Sequence, residues 1–376
     1  MEMTSQQKTY LGWGLLLVAL VFSLFWQLGG VPFFNEEPRR ALIALEMMLR
    51  GNYLVPTELG DYYYKKPPVF NWLIIGMFKL TGTQSELAAR TVTMVSLLLW
   101  GLLHYWFTRK YLDERTARYS ALFLVLAADI YFAFSMLAEI DIFYSLVTYA
   151  SFVTIYHFYQ KQHYWALFLA TYLLCAIGTL TKGVPSPVFT GLSLLAFFIH
   201  KKAFWRLFSL PHFAGLALLT AIVGGYFWAY SEYNILDNYF AGLWSQSGDR
   251  TLLKMGASEL VKHLIVFPLK TLAVIFPATL MLVFLKGKNS ARAIWQQPLL
   301  RFMLLLLAVN FFVYWISPGA RQRYVYMLYP LLITPMTYLY FQFAQHKPLL
   351  KNVLKRLLSG LIVLASIVVI FVGLKF

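Results

Sequence analysis

The chain has 376 residues, of which 60% are hydrophobic and 13% charged, and its formal net charge is +16. Soluble domains carry about 25% charged residues, whereas the mean hydropathy here is +0.62. The composition therefore excludes an ordinary soluble domain and a disordered chain, and it predicts an all-α polytopic membrane protein.

Apolar runs that approach the roughly 20 residues needed to cross a bilayer recur along the sequence. The first run has no small-residue cleavage site and is predicted to be a retained span. The run 69–80 is too short to span and is expected to lie at the interface. We predict about eleven transmembrane helices, near residues 10–29, 89–107, 117–134, 142–159, 164–180, 186–200, 211–230, 260–285, 302–316, 324–343 and 357–375.

The distribution of charge predicts the orientation of these spans. If the N-terminus is inside, the inner loops hold 17 of the 32 Lys and Arg residues and +14 of the net charge. The positive-inside rule favours that orientation. The basic balance is then a topology signal rather than a nucleic-acid footprint. It places an outer loop at 34–72 and a second outer loop at 231–258.

The first outer loop, about 39 residues long, is charged and aromatic, and loops of that length are usually functional. Asn35 is a candidate N-cap and Gly51 a candidate stop, which predicts a helix from Glu36 to Arg50. Ala41, Leu42, Leu45, Met48 and Leu49 would form its apolar face, with Glu36, Arg39, Arg40 and Glu46 opposite, so that it lies flat on the membrane surface. Residues 62–68, YYYKKPP, follow as an extended aromatic and basic strip.

Charged residues also occur where topology does not explain them. Glu139 and Asp141 lie at the outer end of two apolar runs, and carboxylates at a membrane edge are functional candidates. A hydrated turn at the interface is the alternative for this pair. Basic residues from four outward loops would suit a phosphate, although any one of them could be a snorkelling side chain. They are Arg39, Arg40, Lys65, Lys66, Lys182, Arg250, Arg321 and Arg323.

The order of these motifs resembles a known family. NEEPRRALIALEMMLRGNYLVPTELGDYYYKKPPVFNWL is followed by LAEIDIFYSLVTY, GTLTKGVPSPVF, WSQSGDRTLL and ISPGARQRYVYMLYPLL. This series, over most of residues 10–345, is similar to the polyprenyl-phosphate-sugar-dependent glycosyltransferases of the GT-C superfamily. Within that superfamily it resembles bacterial relatives of the lipid A aminoarabinose transferase and, more distantly, the protein O-mannosyltransferases.

The resemblance implies roles for particular residues. Glu36 occupies the place of a catalytic aspartate, with Glu37 hard to separate from it, and Asp141 looks like the second acid, beside Glu139. Lys65 stands where some relatives have an acid that helps to bind a metal, so a divalent metal ion stays an open question. Arg39 and Lys66 match contacts to the lipid phosphate. The donor-binding group is completed by Tyr63, Tyr64, Lys65, Lys182, Arg250, Arg321 and Arg323.

The expected reaction moves a sugar, with inversion, from a polyprenyl-phosphate donor to a lipid, glycan or protein acceptor at the outer face of a bacterial inner membrane. Glu36 or Asp141 would take the acceptor's proton, and cations would stabilise the departing phosphate. A lipid or sugar transporter is the alternative, but the charges gather in loops on one side. We expect residues 1–345 to form the catalytic domain and residues 346–376 to add a cytoplasmic connection and the last helix.

Overall fold

The computed structural model describes residues 4–26, 28–248, 257–284 and 287–344, with residues 353–354, 356–360, 362–363 and 367 near the C-terminus. Within these residues the chain is almost entirely helical. The helices α1 to α15 are, in chain order, Ser5–Phe25, Glu37–Arg50, Val69–Thr81, Glu86–Tyr111, Glu114–Val125, Ala128–Phe132, Ile140–Gln160, Tyr164–Lys182, Pro185–His200, Leu210–Ser231, Leu236–Gly248, Ala257–Val274, Gly287–Gln296, Pro298–Trp315 and Tyr329–Ala344. The 3-10 helices are Phe134–Met136, Phe204–Phe208, Ala278–Phe284 and Gln322–Leu328, and the strands are β1 (Thr57–Glu58) and β2 (Asp61–Tyr62).

By length and composition, four of the described helices could cross a membrane, namely α4, α8, α10 and α14. A fifth candidate joins α5 to the stretch Ala128–Met136, with a bend of 44° between its halves. The all-α membrane fold is therefore confirmed, whereas the count of eleven spans is not. The predicted span 357–375 lies largely outside the described residues.

Several of the predicted spans are not among these candidates, and for some of them the structure gives a physical reason. Helix α7, which covers the predicted span 142–159, packs against α4, α8 and α9 and buries most of its side chains in protein. A helix surrounded by protein needs a less apolar surface than one surrounded by lipid. Helix α9 has 16 residues, and the predicted span 324–343 begins as a 3-10 helix before α15.

Helix α2 confirms the helix predicted in the first outer loop, but its buried face differs from the predicted one. Gly51 ends it in the left-handed conformation, at φ 64°, where glycine has no steric penalty. The N-cap position is Glu36 rather than Asn35, and Asn35 has a φ of 61°. Leu49 is exposed, while the buried residues are Glu37, Arg40, Ala41, Ile43, Ala44 and Met47. The helix packs on α3, because the protein and not the lipid receives this face.

A buried ion pair fixes the start of α2 to α4. Arg90 Nε donates to Glu37 Oε1 at 2.8 Å, and a second guanidinium nitrogen donates to Oε2 at 2.9 Å. Glu37 also accepts from the backbone N–H groups of Ala138 at 2.7 Å and Phe34 at 2.9 Å. Arg90 donates further to the carbonyl oxygens of Leu28, Val31 and Pro32. Both side chains are almost fully buried, and their hydrogen-bonding capacity is used within the fold.

The β1–β2 hairpin is attached to α2 by side chains of that helix. Glu46 accepts from the Thr57 hydroxyl at 2.5 Å and from the Gly60 N–H at 3.4 Å. Arg50 donates to the Gly60 carbonyl at 3.3 Å. The hairpin is thus a folded layer on α2 rather than a free segment.

Candidate functional site

The first turn of α7 and the last turn of α8 meet in a buried ion pair. Lys182 Nζ donates to Asp141 Oδ1 at 2.5 Å, and the exposed fractions of the two side chains are 6% and 4%. Arg323, at the start of the 3-10 helix Gln322–Leu328, brings its Nε to 3.5 Å from Asp141 Oδ2. The antiparallel packing of α7 on α8 produces this meeting between residues 41 positions apart. Asp141 therefore holds two cations at one end of the bundle.

Glu139, which precedes α7, is buried beside that pair and is less completely bonded. Its Oε1 lies 3.7 Å from an Arg323 nitrogen and has no hydrogen-bond partner among the described residues. Burial raises the pKa of the Glu139 carboxyl, and Asp141 raises this pKa further, while Arg40 and Arg323 lower it. The site thus contains a buried carboxylate oxygen that the described part of the fold leaves unsatisfied.

Arg40 brings a further cation from α2 into the same site. Its guanidinium donates to the Tyr63 hydroxyl at 3.1 Å, and its Nε, also buried, has no partner in the described part of the chain. Arg40 lies close enough to Glu139 and Asp141 to interact with both electrostatically. The aromatic strip therefore contributes Tyr63 as an acceptor for a guanidinium that faces the acids.

Glu36 and Arg39 form the accessible edge of the site. Arg39 donates to Glu36 Oε2 at 2.5 Å and to Glu58 Oε1 at 2.6 Å. The side chains of Glu36 and Arg39 are 37% and 31% exposed, and Glu36 interacts electrostatically with Glu139. The first motif and the LAEID motif, about 100 residues apart in the sequence, are thereby brought to one place.

The summed charge of the site favours an anion. Lys66 is half-buried and interacts electrostatically with Asp141. Four cations, Arg40, Lys66, Lys182 and Arg323, then face the two carboxylates of Glu139 and Asp141. The triad of Glu36, Arg39 and Glu58 at the edge carries one negative charge. One positive charge remains in excess among the described residues, in a poorly hydrated place where electrostatic interactions are strong.

The other predicted donor contacts take different positions. Lys65 and Arg321 are exposed, and the Tyr64 hydroxyl accepts from the Asn234 side chain at 3.3 Å. Tyr64 also contacts α11, where a Cβ on Gly242 would lie 2.6 Å from the Tyr64 Cβ. Glu37 is held by Arg90 as described above. Arg250 lies outside the described residues.

Sequence reasoning did not anticipate the role of Arg90. This arginine lies in the apolar run AARTVTM, and a charge there is costly unless it has a buried partner. The rule does not name that partner, because Glu37 lies 53 positions away in another segment. Arg40 was grouped with the outward cations, but its burial was not foreseen, because the helix pattern assigned it to the polar face.

The residues of the site fit a metal poorly. In the part of the chain that the structure describes, no group of three His, Cys, Asp or Glu side chains is placed to hold a metal ion. Glu139 and Asp141 converge, but Lys182 and Arg323 already occupy the space next to them. Cations near a carboxylate pair compete with a divalent ion, so no step is assigned to a metal.

Comparison with known proteins gives matches to glycosyltransferases over part of the chain. The family described as dolichyl-phosphate-mannose-protein mannosyltransferase matches residues 65–228. Undecaprenyl phosphate-α-4-amino-4-deoxy-L-arabinose arabinosyl transferases from Yersinia enterocolitica and Aeromonas hydrophila are each 28% identical to the chain, over 229 and 222 residues. These matches cover 59% and 58% of this chain but 40% of each relative, so the chain spans less than half of the relatives' length in the alignment.

The crystal structure of ArnT from Cupriavidus metallidurans bound to undecaprenyl phosphate superimposes with a TM-score of 0.69 at 20% identity. The superposition covers 90% of this chain and 61% of ArnT. At that identity the superposition establishes the fold. The chain therefore has the GT-C membrane fold and resembles the polyprenyl-phosphate-sugar-dependent glycosyltransferases, as the order of its motifs predicts.

Proposed function

We propose that the chain is a membrane glycosyltransferase that moves a sugar from a polyprenyl-phosphate donor to an acceptor hydroxyl. The observation that carries this proposal is the group of four buried or half-buried cations around Glu139 and Asp141, with polar atoms on Glu139 and Arg40 that no described residue satisfies. A phosphodiester monoanion would balance the excess positive charge and accept a hydrogen bond from Arg40 Nε, whereas Glu139 Oε1 is itself an acceptor and would take a hydrogen bond from a hydroxyl of the sugar or of the acceptor. The relatives are named as undecaprenyl phosphate-α-4-amino-4-deoxy-L-arabinose arabinosyl transferases, and these names support the same class of donor.

The reaction proposed for this site needs one proton acceptor and a stabilised leaving group. The acceptor oxygen forms a bond to the anomeric carbon, the bond from that carbon to the phosphate oxygen breaks, and the configuration inverts. We assign Glu36 as the base that takes the proton of the acceptor hydroxyl, because its carboxylate is accessible at the edge of the site. Asp141 is nearly inaccessible and positions Lys182 and Arg323, which would stabilise the departing lipid phosphate.

The lipid part of the donor would lie in an apolar cavity of about 350 Å³ between α12, α14 and α15. Val325 and Leu328, in the same 3-10 helix as Arg323, contribute to its wall. Residues two positions apart in a 3-10 helix, such as Arg323 and Val325, are separated by about 4 Å along its axis. The phosphate site and the apolar cavity are therefore close enough to hold the head and the first isoprene units of one lipid.

We place the site at the outer, periplasmic face of a bacterial inner membrane. The membrane character follows from the fold, and the charge of the loops favours an internal N-terminus. Labelling of single cysteines with an impermeant thiol reagent tests this orientation. Cysteines at Asn52 and Gly60 should react from outside, and cysteines at Lys110 and Lys202 should not. The opposite pattern would contradict the proposed orientation.

Transfer and transport can be separated by following the phosphate–sugar bond. The purified chain in nanodiscs is given a panel of undecaprenyl-phosphate sugars, beginning with 4-amino-4-deoxy-L-arabinose, together with lipid A. A transferase releases undecaprenyl phosphate in proportion to sugar on the acceptor. A flippase instead moves the intact donor across a vesicle membrane. Movement of intact donor without release of undecaprenyl phosphate would refute the proposal.

The two acids are separated by isosteric substitutions. Glu36→Gln should lower turnover about 10²–10⁴-fold and leave undecaprenyl phosphate binding unchanged, because general-base catalysis contributes that range. Asp141→Asn should weaken binding as well, since its cations lose their position. Glu37→Gln is the matched control and should lower the stability of the protein more than the turnover of its folded fraction. Full activity of both Glu36→Gln and Asp141→Asn would exclude the assigned roles.

A further inference from the structure

The opposite end of the bundle has a second concentration of positive charge. Helix α7 has 21 residues and runs from the charged site to Gln160, so its far end lies about 30 Å away. There the loop before α8 and the loop after α9 bring together five basic residues, Lys161, His163, Lys201, Lys202 and Arg206. No Asp or Glu occurs in the sequence between Asp141 and Glu232. We call this group of five residues the far basic patch.

Among the residues that the structure describes, no acid pairs with the far basic patch, and this distinguishes it from the other cations predicted on the same side. Arg109 and Arg118 both pair with Glu114, at 2.5 Å and 3.1 Å. In the far basic patch the neighbours are aromatic instead, with Arg206 at 4.3 Å from the centre of the Tyr164 ring. Burial and the nearby Arg301 lower the pKa of Lys201. Positive charge is therefore concentrated here without compensation from the protein.

A cavity opens beside these cations. Its volume is about 510 Å³, and Gln162, His163, Trp165, Arg206 and Ser209 are among the residues of its wall. It lies between the start of α8 and the start of α10, which pack against each other. The Arg206 guanidinium and the His163 imidazole line this space and can donate hydrogen bonds to phosphate oxygens, whereas the Ser209 hydroxyl already donates to the Arg206 carbonyl oxygen at 2.6 Å.

The surroundings of the cavity identify the source of the anion as a lipid. Trp205 and Trp165 are 80% and 51% exposed, and Phe208 and Leu210 are exposed beside them. Tryptophan and tyrosine concentrate at the level of the lipid headgroups. Helix α10, which leads away from the cavity, buries only Gly215, Tyr226 and Tyr230 among its 22 residues. It therefore offers a long apolar surface on which acyl chains can lie.

We propose that the far basic patch and its cavity bind the phosphodiester headgroup of an anionic phospholipid, with the acyl chains along α10. Arg206 and His163 contact the headgroup, and Lys161, Lys201 and Lys202 attract it. Trp165 and Trp205 mark the depth of the interface. The ligand belongs to the bilayer itself and is separate from the donor and acceptor of the proposed transfer reaction.

Native mass spectrometry of the full chain, released from nanodiscs that contain phosphatidylcholine and phosphatidylglycerol, tests this site. Each basic residue near a membrane surface contributes about five-fold to anionic lipid binding. Arg206→Glu should therefore lower the number of retained phosphatidylglycerol molecules by five-fold or more, and Arg206→Lys should keep most of them. Lys110→Glu, the same charge change beside Trp106 at the same end but outside the far basic patch, is the matched control and should lower retention clearly less than Arg206→Glu does.

Competition with inorganic phosphate distinguishes a lipid site from a soluble-anion site. Phosphate added to the nanodiscs should leave phosphatidylglycerol retention unchanged. Displacement of the lipid by phosphate, or equal losses in Arg206→Glu and Lys110→Glu, would overturn the proposal. If Arg206→Glu does not yield a monodisperse protein, Arg206→Gln replaces it, and retention equal to wild type would then count against the site. None of these measurements depends on sugar transfer.

Discussion

Two buried groups of charge lie side by side at one end of the bundle and differ in how their hydrogen bonds are used. In the first, Glu37 and Arg90 saturate each other and the backbone around them. In the second, Glu139 and Arg40 keep buried atoms that no described residue bonds, and cations outnumber acids within the same described ranges. Ala138 lies between the two groups. Its N–H donates to Glu37 of the first group, and the next residue in the chain is Glu139 of the second. The group with saturated hydrogen bonds supports the fold, and we propose that the group with unsatisfied hydrogen bonds binds a ligand.

The largest expected effect belongs to the saturated group. Arg90→Ala leaves the Glu37 carboxylate, which is fully buried, without its counterion, and removal of one partner of a buried pair costs about 3–5 kcal/mol. We expect the protein to lose its folded, monodisperse form in detergent at temperatures that wild type survives. Arg109→Ala breaks an exposed ion pair with Glu114 and should cost about 1 kcal/mol or less. Equal stability of the two variants would remove the distinction between the groups.

A double-mutant cycle at Asp141 and Lys182 sharpens the comparison for the second group. Lys182→Met alone leaves Asp141 with the more distant Arg323 and should destabilise the protein by about 2–4 kcal/mol. Asp141→Leu combined with Lys182→Met removes both charges and should recover part of that stability. Undecaprenyl phosphate binding should be lost in the single and the double variant alike. Recovery of binding together with stability would mean that the pair only supports the fold.

The pH dependence of stability follows from the raised pKa of Glu139. A carboxyl whose pKa is higher in the folded state binds its proton more tightly there, so its contribution to stability is complete below pH about 4.3. That contribution is lost as the pH rises through the folded-state pKa. Glu139→Gln should therefore be more stable than wild type at neutral pH, and the difference in melting temperature should shrink on acidification. A difference that is constant from pH 4 to pH 8 would contradict the raised pKa.

The smallest effect is expected at the exposed edge of the site. Arg39→Ala removes ion pairs to Glu36 and Glu58 that are partly hydrated, so the free energy of unfolding should fall by about 1 kcal/mol or less. Because Arg39 orients the carboxylate that we assign as the base, turnover should fall more than donor binding. Arg39→Lys should restore part of the turnover. A loss of donor binding as large as that of Lys182→Met would move Arg39 into the phosphate site.

The sequence predicted the elements of the outer loop better than their contacts. The end of α2 at Gly51 follows from local rules, because a residue with positive φ favours glycine. The burial of Arg40 and Glu37 does not, because their partners Tyr63 and Arg90 come from other segments. The helical pattern counts Leu49 as inward and Arg40 as outward, and tertiary contacts reverse both positions.

The candidate site was predictable in composition and less so in arrangement. The membrane-edge positions of Glu139 and Asp141 identified them from sequence alone. The contact of Asp141 with Lys182 depends on the antiparallel packing of α7 and α8, which no spacing in the sequence specifies. The count of eleven spans is not confirmed, and burial in protein explains how helices such as α7 and α9 can be less apolar or shorter than a helix that faces lipid.

The attachment of the β1–β2 hairpin to α2 affects how a ligand is received. Ordering a residue costs about 1–2 kcal/mol of backbone entropy, and here the bonds from Glu46 and Arg50 to Thr57 and Gly60 order the outer loop during folding. A ligand that arrives therefore meets a surface already in place, and none of its binding free energy is spent on closing the loop. Loosening the hairpin, for example by Glu46→Ala, would slow productive capture while leaving the reacting groups unchanged.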